Sequence, residues 1–332
     1  MVIVLGIEST AHTFGVGIID EELNILADKR SVVKPSETLG IDPGEAAEHH
    51  SKVCIDVLEE ALREAGLEPK DIDIISFSKG PGLGPALRVG ATLARALAFK
   101  YNKPLYPVHH GLGHIELTAA LLGMEDPLVL LVSGGHTAIL AFNQGRWRVY
   151  GETLDITVGN LLDVFARKLG IGFPGGPEIE RLAKDGGQYI ELPYNVKGNN
   201  VVYSGLLTYT IDLVGKVDVK DLAYSLQETA FSMLVEVTER ALIQTNKDEI
   251  CIAGGVASNN RLFEMMRTMA GEHGVKVGRL EGEFRKFNGD NGVQIAILGL
   301  LYHKAGYPPT PIEKSYISQR IRIEAEDVPW RM

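Results

Sequence analysis

The stretch VIVLGIESTAHTFGVGIIDEELNILADKR, residues 2–30, decides the fold class. Val2 to Glu8 is apolar and rich in β-branched side chains, so it reads as a strand. Ser9-Thr10-Ala11-His12 turns the chain, Thr13 to Asp20 runs back, and Leu23 to Arg30 follows a short acidic turn. Three neighbouring strands are therefore expected at the start. A helix follows: Asp42 is a good N-cap, Pro43 suits the first helical position, and Glu45 completes a box-like pattern. Val53, Cys54, Val57, Leu58, Ala61, Leu62 and Ala65 recur at helical spacing, and Gly66 stops the helix.

Outward from there, Asp71 to Ser78 reads as a strand and the loop Gly80-Pro-Gly-Leu-Gly-Pro85 opens a helix to about Lys100. Pro104 to Val108 is another strand and His110 to Leu122 another helix. Near residue 127 the plan restarts. Leu128 to Ser133, His136 to Phe142 and Arg146 to Gly151 are three strands, with helices at about 155–170, 177–185 and 221–246. The strand Glu249 to Ala253 precedes a helix at 258–273, and Val275 to Arg279 precedes a last helix from about Gly289. Two copies of one ββαβα-type plan imply two α/β domains with a cleft between them. The expected boundaries are 1–125 and 126–304, with a polar, Gly-rich insertion near 186–216 and a tail, 305–332, packed back on the first domain.

The chain has 332 residues, a soft prior of two domains at roughly 150 residues each. Hydrophobic residues make up 45% and charged residues 23%, which excludes a disordered chain. Thirty-three Lys and Arg against 43 Asp and Glu give a net charge of −10, which excludes a polybasic nucleic-acid coat. A nucleic-acid substrate would need a local basic patch or a basic partner. Arg261, Arg267, Lys276, Arg279, Arg285 and Lys286 form a basic stretch that reads either as such a patch or as a solvated surface. Cys54 and Cys251 lie inside apolar periodic segments, so no disulfide framework is expected and a reducing cytoplasm is the default. No apolar run reaches the ~18 residues of a membrane span, and no membrane association is expected. The N-terminus reads as a strand, not a signal peptide.

Several residues could carry chemistry. His110 and His114 lie four apart at a helix start, hence on one face, a spacing that suits metal chelation or a merely polar surface. The pattern is His-Gly-Leu-Gly-His, so the base glutamate of a zinc protease is absent. Asp290, in the turn before the last helix, is a candidate third ligand. Two His and one carboxylate would leave open positions for substrate. Gly134-Gly135, between Ser133 and Thr137, is a phosphate cradle or an ordinary hairpin turn. Gly254-Gly255 behaves similarly after the strand ICIA. No Walker A pattern occurs, and the Gly80–Pro85 loop is a rigid turn or lines a cleft. Asp163 and Glu180 could accept ribose hydroxyls or be solvated charges. His49-His50 has no chelating spacing and reads as structural.

Together these pieces resemble the universal tRNA threonylcarbamoyladenosine transferases, the TsaD family, which includes the catalytic subunit of the archaeal and eukaryotic KEOPS complex. The match spans nearly the whole chain. It rests on Gly6-Ile-Glu-Ser-Thr10, Gly80-Pro-Gly-Leu-Gly84, His110-x-x-x-His114, Val132-Ser-Gly-Gly-His-Thr137 and Gly151-Glu-Thr-Leu-Asp155. It continues through Phe173-Pro-Gly-Gly-Pro177, Ser204-Gly-Leu-Leu-Thr208, Gly254-Gly-Val-Ala-Ser-Asn259 and Asp290-Asn-Gly292. The resemblance implies duplicated actin/hexokinase/heat-shock-ATPase-like (RNase H-like) domains. It implies a metal, Fe(2+) or Zn(2+), on His110, His114 and Asp290. It implies nucleotide phosphates near Ser133, Gly134 and Gly135, ribose at Asp163 and Glu180, and adenine at Gly176, Gly255 and Asn259.

The implied activity transfers threonylcarbamoyl from threonylcarbamoyl-AMP to N6 of the adenosine 3′ of the anticodon in tRNAs reading codons that start with A. AMP leaves, and ATP or AMP are site ligands. The implied partners are tRNA and KEOPS-type subunits: a kinase-like ATPase, a small dimerising subunit and tRNA-binding subunits. Two departures are visible. Many archaeal and eukaryotic members have Tyr where this chain has Leu131, so three protein ligands remain, and His109 stands where Asn is frequent. The rivals are an ATP-binding kinase of the same fold, a zinc peptidase and a non-enzymatic scaffold. Kinases of this fold hold Mg²⁺ through oxygen ligands, which the two histidines do not match.

Overall fold

The computed structural model describes residues 2–33 and 42–331. In chain order the first elements are β1 (Ile3–Glu8), β2 (Thr13–Asp20), β3 (Ile25–Val32), α1 (Pro43–Ala65), β4 (Ile74–Gly80), α2 (Gly84–Tyr101), β5 (Leu105–His109) and α3 (His110–Leu122). Then come β6 (Leu128–Val132), β7 (Thr137–Asn143), β8 (Arg146–Glu152), α4 (Val158–Lys168) and α5 (Gly176–Lys184). A small hairpin, β9 (Val196–Lys197) and β10 (Asn200–Val201), leads to α6 (Ser204–Asp212) and the long α7 (Val219–Thr245). The chain continues through β11 (Glu249–Ala253), α8 (Asn260–Glu272), β12 (Lys276–Gly278) and α9 (Val293–Lys304).

The duplication is topological. One sheet runs β3-β2-β1-β4-β5 and the other β12-β11-β6-β7-β8. In the first, β1 pairs antiparallel with β2 and parallel with β4. In the second, β6 pairs antiparallel with β7 and parallel with β11. Both are mixed sheets with a meander on one side and crossover strands on the other. The chain has the actin/hexokinase/heat-shock-ATPase fold that this arrangement describes.

Local signals place the elements as read. Asp42 caps α1 by accepting from the N–H groups of Gly44 and Glu45, and Gly66 ends it in the left-handed region at φ 67°. The segment 186–216 is not bare loop. It holds β9, β10 and α6, and buries Leu192, Val201, Tyr203 and Leu206 in the second core. The Asp155 carboxylate ties it down by accepting from the N–H groups of Tyr203 and Ser204, at 2.9 and 2.8 Å.

The chain forms two compact units. The first comprises Met1–Leu117, Asn143–Trp147 and Gly289–Met332, and the second Thr118–Phe142 and Arg148–Asn288. The last helix, α9, therefore belongs to the first unit and not, as the boundary 126–304 expects, to the second. The cause is close packing on β1 and β2. A Cβ on Gly6 would lie 2.2 Å from the Ala296 nitrogen, and one on Gly17 2.2 Å from that of Val293. Ser76 Oγ adds a hydrogen bond to the Ile295 carbonyl at 2.8 Å. The first core gathers Ile3, Leu5, Ile7, Phe14, Val16, Ile18, Phe77 and the apolar faces of α1 and α2.

The tail lies on this same unit. Ser318 N–H donates to the Lys79 carbonyl at 2.7 Å, and Gly82 N–H donates to Gln319 at 3.2 Å. The Gly80–Pro85 loop is thus held between the tail and Thr10, whose carbonyl accepts from Leu83 at 2.8 Å. It is a braced strand-to-helix turn.

Candidate metal and nucleotide sites

In the first unit, α9's close seat on the sheet brings the loop before it to the start of α3. His110 opens α3 directly after β5, and His114 follows one turn later. Their rings sit edge to face with centroids 4.8 Å apart. Asp290 Oδ1 lies 3.3 Å from His114 Nε2 and 3.5 Å from His110 Nε2. One donor atom from each of the three lies within 4.8 Å of the other two, so His110, His114 and Asp290 could hold a metal ion. The donor set, two imidazoles and a carboxylate, suits a transition metal with open coordination positions. His114 presents Nε2 to Asp290, and its Nδ1, on the other side of the ring, is buried without a hydrogen-bond partner.

The three groups are tied together electrostatically. Burial raises the Asp290 carboxyl, but the His110 charge and the His114 hydrogen bond outweigh it and hold it well below the usual carboxylate range. Burial lowers His110, yet the Glu8 and Asp290 carboxylates outweigh it and lift it to about 9. His114 is lowered by burial, with the Asp290 hydrogen bond opposing. Behind His110 stands Glu8, fully buried, whose Oε2 is 2.9 Å from His110 Nδ1. Sequence reasoning gave Glu8 no role beyond a letter in the Gly6–Thr10 motif; a charged residue ending an otherwise apolar strand was the available signal. His109 points away from the three ligands' donors. Its Nδ1 accepts from Leu112 N–H at 3.2 Å, and its Nε2 lies 3.3 Å from the Ile321 carbonyl.

In the second unit, the Ser133–Gly135 turn closes β6 onto β7. Ser133 Oγ accepts from the N–H groups of Gly135 and His136, at 3.2 and 3.0 Å. The hydroxyl oxygen thereby stands where an anion would sit in a backbone nest. Nothing lies within 4 Å of a Cβ built on Gly134 or Gly135, so the turn is open on its outer side. The start of α4 abuts it: Thr157 caps that helix and donates to the Gly134 carbonyl at 2.7 Å. Gly254, at φ 95°, packs against the end of β6, where a Cβ would meet the Val132 carbonyl at 2.4 Å. Gly255 beside it is open.

The acidic and amide residues are more engaged than the sequence suggested. Asp163 accepts from Gly175 N–H at 2.8 Å and braces the turn before Gly176, the first residue of α5. Glu180 Oε1 accepts from both the backbone and the side chain of Asn260, at 3.1 and 2.9 Å. Asn259 caps α8 through Oδ1, and its Nδ2 donates to Gln227 at 2.8 Å. Neither acid is a solvated surface charge. The basic stretch also contracts. Arg279 is buried and donates to the Ala257 and Asn259 carbonyls at 3.0 and 2.9 Å. Arg261 is clamped by Glu228 at 2.6 and 2.7 Å, and Lys276 lies 3.4 Å from Glu249.

The family described as tRNA N6-adenosine threonylcarbamoyltransferase, TsaD, matches residues 24–297. The chain belongs to this family. A relative named tRNA N6-adenosine threonylcarbamoyltransferase, from Thermococcus sibiricus, is 51% identical over 330 residues, covering 99% of this chain and 100% of its own. A protein of Methanothermobacter thermautotrophicus named "Probable bifunctional tRNA threonylcarbamoyladenosine biosynthesis protein" is 52% identical over 327 residues; the match covers 98% of this chain and 60% of that one. Among solved structures, T. kodakarensis HypF superposes with a TM-score of 0.63 at 16% identity, over 92% of this chain and 48% of its own, a likeness of fold. No helix among the described residues is long and apolar enough to cross a membrane.

Proposed function

We propose that this chain transfers the threonylcarbamoyl group from threonylcarbamoyl-AMP to N6 of the adenosine 3′ of the anticodon in tRNAs reading codons that start with A. Family membership together with the juxtaposed His110, His114 and Asp290 carries the reading. In the transfer, the N6 nitrogen bonds to the carbamoyl carbon and gives up a proton. The bond from that carbon to the phosphate oxygen breaks, and AMP leaves with the electron pair.

His110, His114 and Asp290 would hold Fe(2+) or Zn(2+), which supplies a Lewis acid able to polarise a carbonyl or phosphoryl oxygen. The other tasks fall to the chain's own groups. The N–H groups of the Ser133–Gly135 turn bind the phosphate once Ser133 Oγ yields its place to a phosphate oxygen, and they stabilise charge as AMP departs. The carboxylates of Asp163 and Glu180 accept from ribose hydroxyls. Open backbone at Gly255 and the α5 start at Gly176 flank the adenine, with Asn259 setting the α8 end beside them. Asp163, Glu180 and Asn259 hold these loops in shape while doing so, so the nucleotide meets a preorganised surface.

KEOPS-type subunits add basic tRNA-binding surface to a chain of net charge −10. The name and extra length of the bifunctional relative support a partner acting beside this chain. The cytoplasm, where tRNA is modified, is its place. The test is reconstitution: the chain, its partner subunits, threonylcarbamoyl-AMP and unmodified tRNA, with nucleoside mass spectrometry and AMP quantified together. Modified adenosine and AMP should appear in equal amounts, and His114→Ala or Asp290→Ala should abolish both. Absence of product with the wild-type chain would overturn the transferase reading, and full activity of either variant would overturn the metal assignment.

A further inference from the structure

Glu8 ends β1 with its side chain fully buried. A carboxylate so placed is costly unless several donors serve it. Three do: Thr10 N–H at 2.6 Å and Thr10 Oγ1 at 2.5 Å on Oε1, and His110 Nδ1 at 2.9 Å on Oε2. The two oxygens have divided labour. Thr10 occupies one through both backbone and hydroxyl, so the other is left for the imidazole.

Two further groups approach His110 Nδ1: Thr10 Oγ1 at 3.3 Å, which, donating to Glu8, can only accept from the ring, and Gln294 Nε2 at 3.2 Å, which would favour the opposite tautomer by donating to it. The contact to Glu8 is shorter and charge-assisted, and such bonds are roughly twice as strong as neutral ones. Glu8 therefore decides the ring. With Nδ1 keeping its proton toward Glu8, Nε2, 3.5 Å from Asp290 Oδ1, is the nitrogen that gives up its proton when a metal binds.

We propose that Glu8 is a positioning residue: by accepting from His110 Nδ1 it fixes the tautomer and plane of that imidazole, presenting Nε2 as a ligand, with Thr10 holding the carboxylate in place. The inference rests on reading His110, His114 and Asp290 as a metal site. Partners behind a ligating histidine typically change metal affinity by about 10–100-fold. Glutamine at this position would keep one acceptor but turn an NH₂ group toward either the Thr10 donors or the ring.

The experiment is Zn(2+) affinity by chelator competition on the full chain, for wild type, Glu8→Gln, His110→Ala and the double variant. Glu8→Gln should weaken binding by about 10–100-fold. It should have little further effect when His110 is already Ala, because its action runs through that ring. Ring ¹⁵N shifts of the Zn(2+)-loaded chain should report the Nδ1–H tautomer at His110 in the wild type and its loss or mixing in Glu8→Gln. Wild-type affinity and an unchanged tautomer in Glu8→Gln would overturn the proposal, as would an equal loss in the His110→Ala background. If His110→Ala itself leaves affinity intact, the metal reading fails first. Should Glu8→Gln not fold, Thr10→Val serves: it removes the hydroxyl donor at constant bulk. A severalfold loss of Zn(2+) affinity is expected there, and no loss overturns the proposal.

Discussion

Arg331 meets the Glu116 carboxylate with two nitrogens, Nε at 2.9 Å from Oε1 and Nη2 at 2.8 Å from Oε2. Glu116 is buried and also accepts from the Trp147 indole at 3.1 Å, and the Arg331 guanidinium lies 4.9 Å from the Trp147 ring centroid. The pair joins the tail to α3 half a turn beyond His114. Removing one partner strands a buried charge, so Arg331→Ala should cost roughly 3–5 kcal/mol. Urea unfolding followed by tryptophan fluorescence would check this; a change under about 1 kcal/mol, typical of exposed pairs, would show the contact to be superficial.

Two glycines should behave oppositely. Gly6→Ala drives a methyl into the backbone of α9, so a loss of roughly 3 kcal/mol or more is expected, along with weaker metal binding as Asp290 moves. Gly135→Ala meets nothing within 4 Å and should leave the melting temperature unchanged. It should nevertheless weaken AMP binding about tenfold by crowding the proposed phosphate turn. Calorimetric melting and AMP titration on both variants separate the two effects.

Acid sensitivity should trace partly to His50. Burial, and then the neighbouring His49, push it down from 6.5 to about 4. It packs on Phe14, and its Nε2 has no hydrogen-bond partner. The folded state therefore prefers the neutral ring. Its contribution is complete above pH 6.5 and is lost as pH falls toward 4, by about 2–3 kcal/mol. In His50→Asn, the stability difference between pH 7 and pH 4 should shrink correspondingly; an identical pH profile would refute the assignment.

Metal uptake should also improve as pH rises, over a higher range. In the metal-free chain His110 is raised to about 9, so binding must displace a proton below that pH. Zn(2+) affinity should rise from pH 6 to 9, by up to about tenfold per pH unit. A flat profile in chelator competition would exclude His110 as a ligand.

Arg279 should prove structural. Its guanidinium stacks 4.3 Å from the Phe263 centroid and holds the loop carrying Asn259. Arg279→Lys should destabilise by roughly 1–3 kcal/mol through unserved carbonyls. Arg267→Ala should stay within about 0.5 kcal/mol of wild type in the same denaturation assay.

How much was legible follows from the range of the interactions. Asp42 and Gly66 bracket α1 through contacts a few residues long, so its ends could be read directly. The four-residue spacing of His110 and His114 needs only helix geometry to put both on one face. Asp290 was reachable as a candidate because a turn precedes α9, but nothing local says that α9 packs on β1 and β2. That placement depends on missing Cβ atoms at Gly6 and Gly17, hundreds of residues away in sequence. Arg279 shows the reverse failure: a basic residue in a basic run looks like surface until its carbonyl partners are seen.

The sequence by itself determined the doubled plan of strands and helices, the caps, the glycine turns and the family motifs, because these are written in residue periodicity and short-range chemistry. Only the tertiary structure decided that Glu8 stands behind His110, that α9 belongs to the first unit, and that Asp163, Glu180 and Asn259 already brace the backbone around them. These are contacts between segments far apart in the chain. Their partners are selected by packing of the whole unit, which no local pattern encodes.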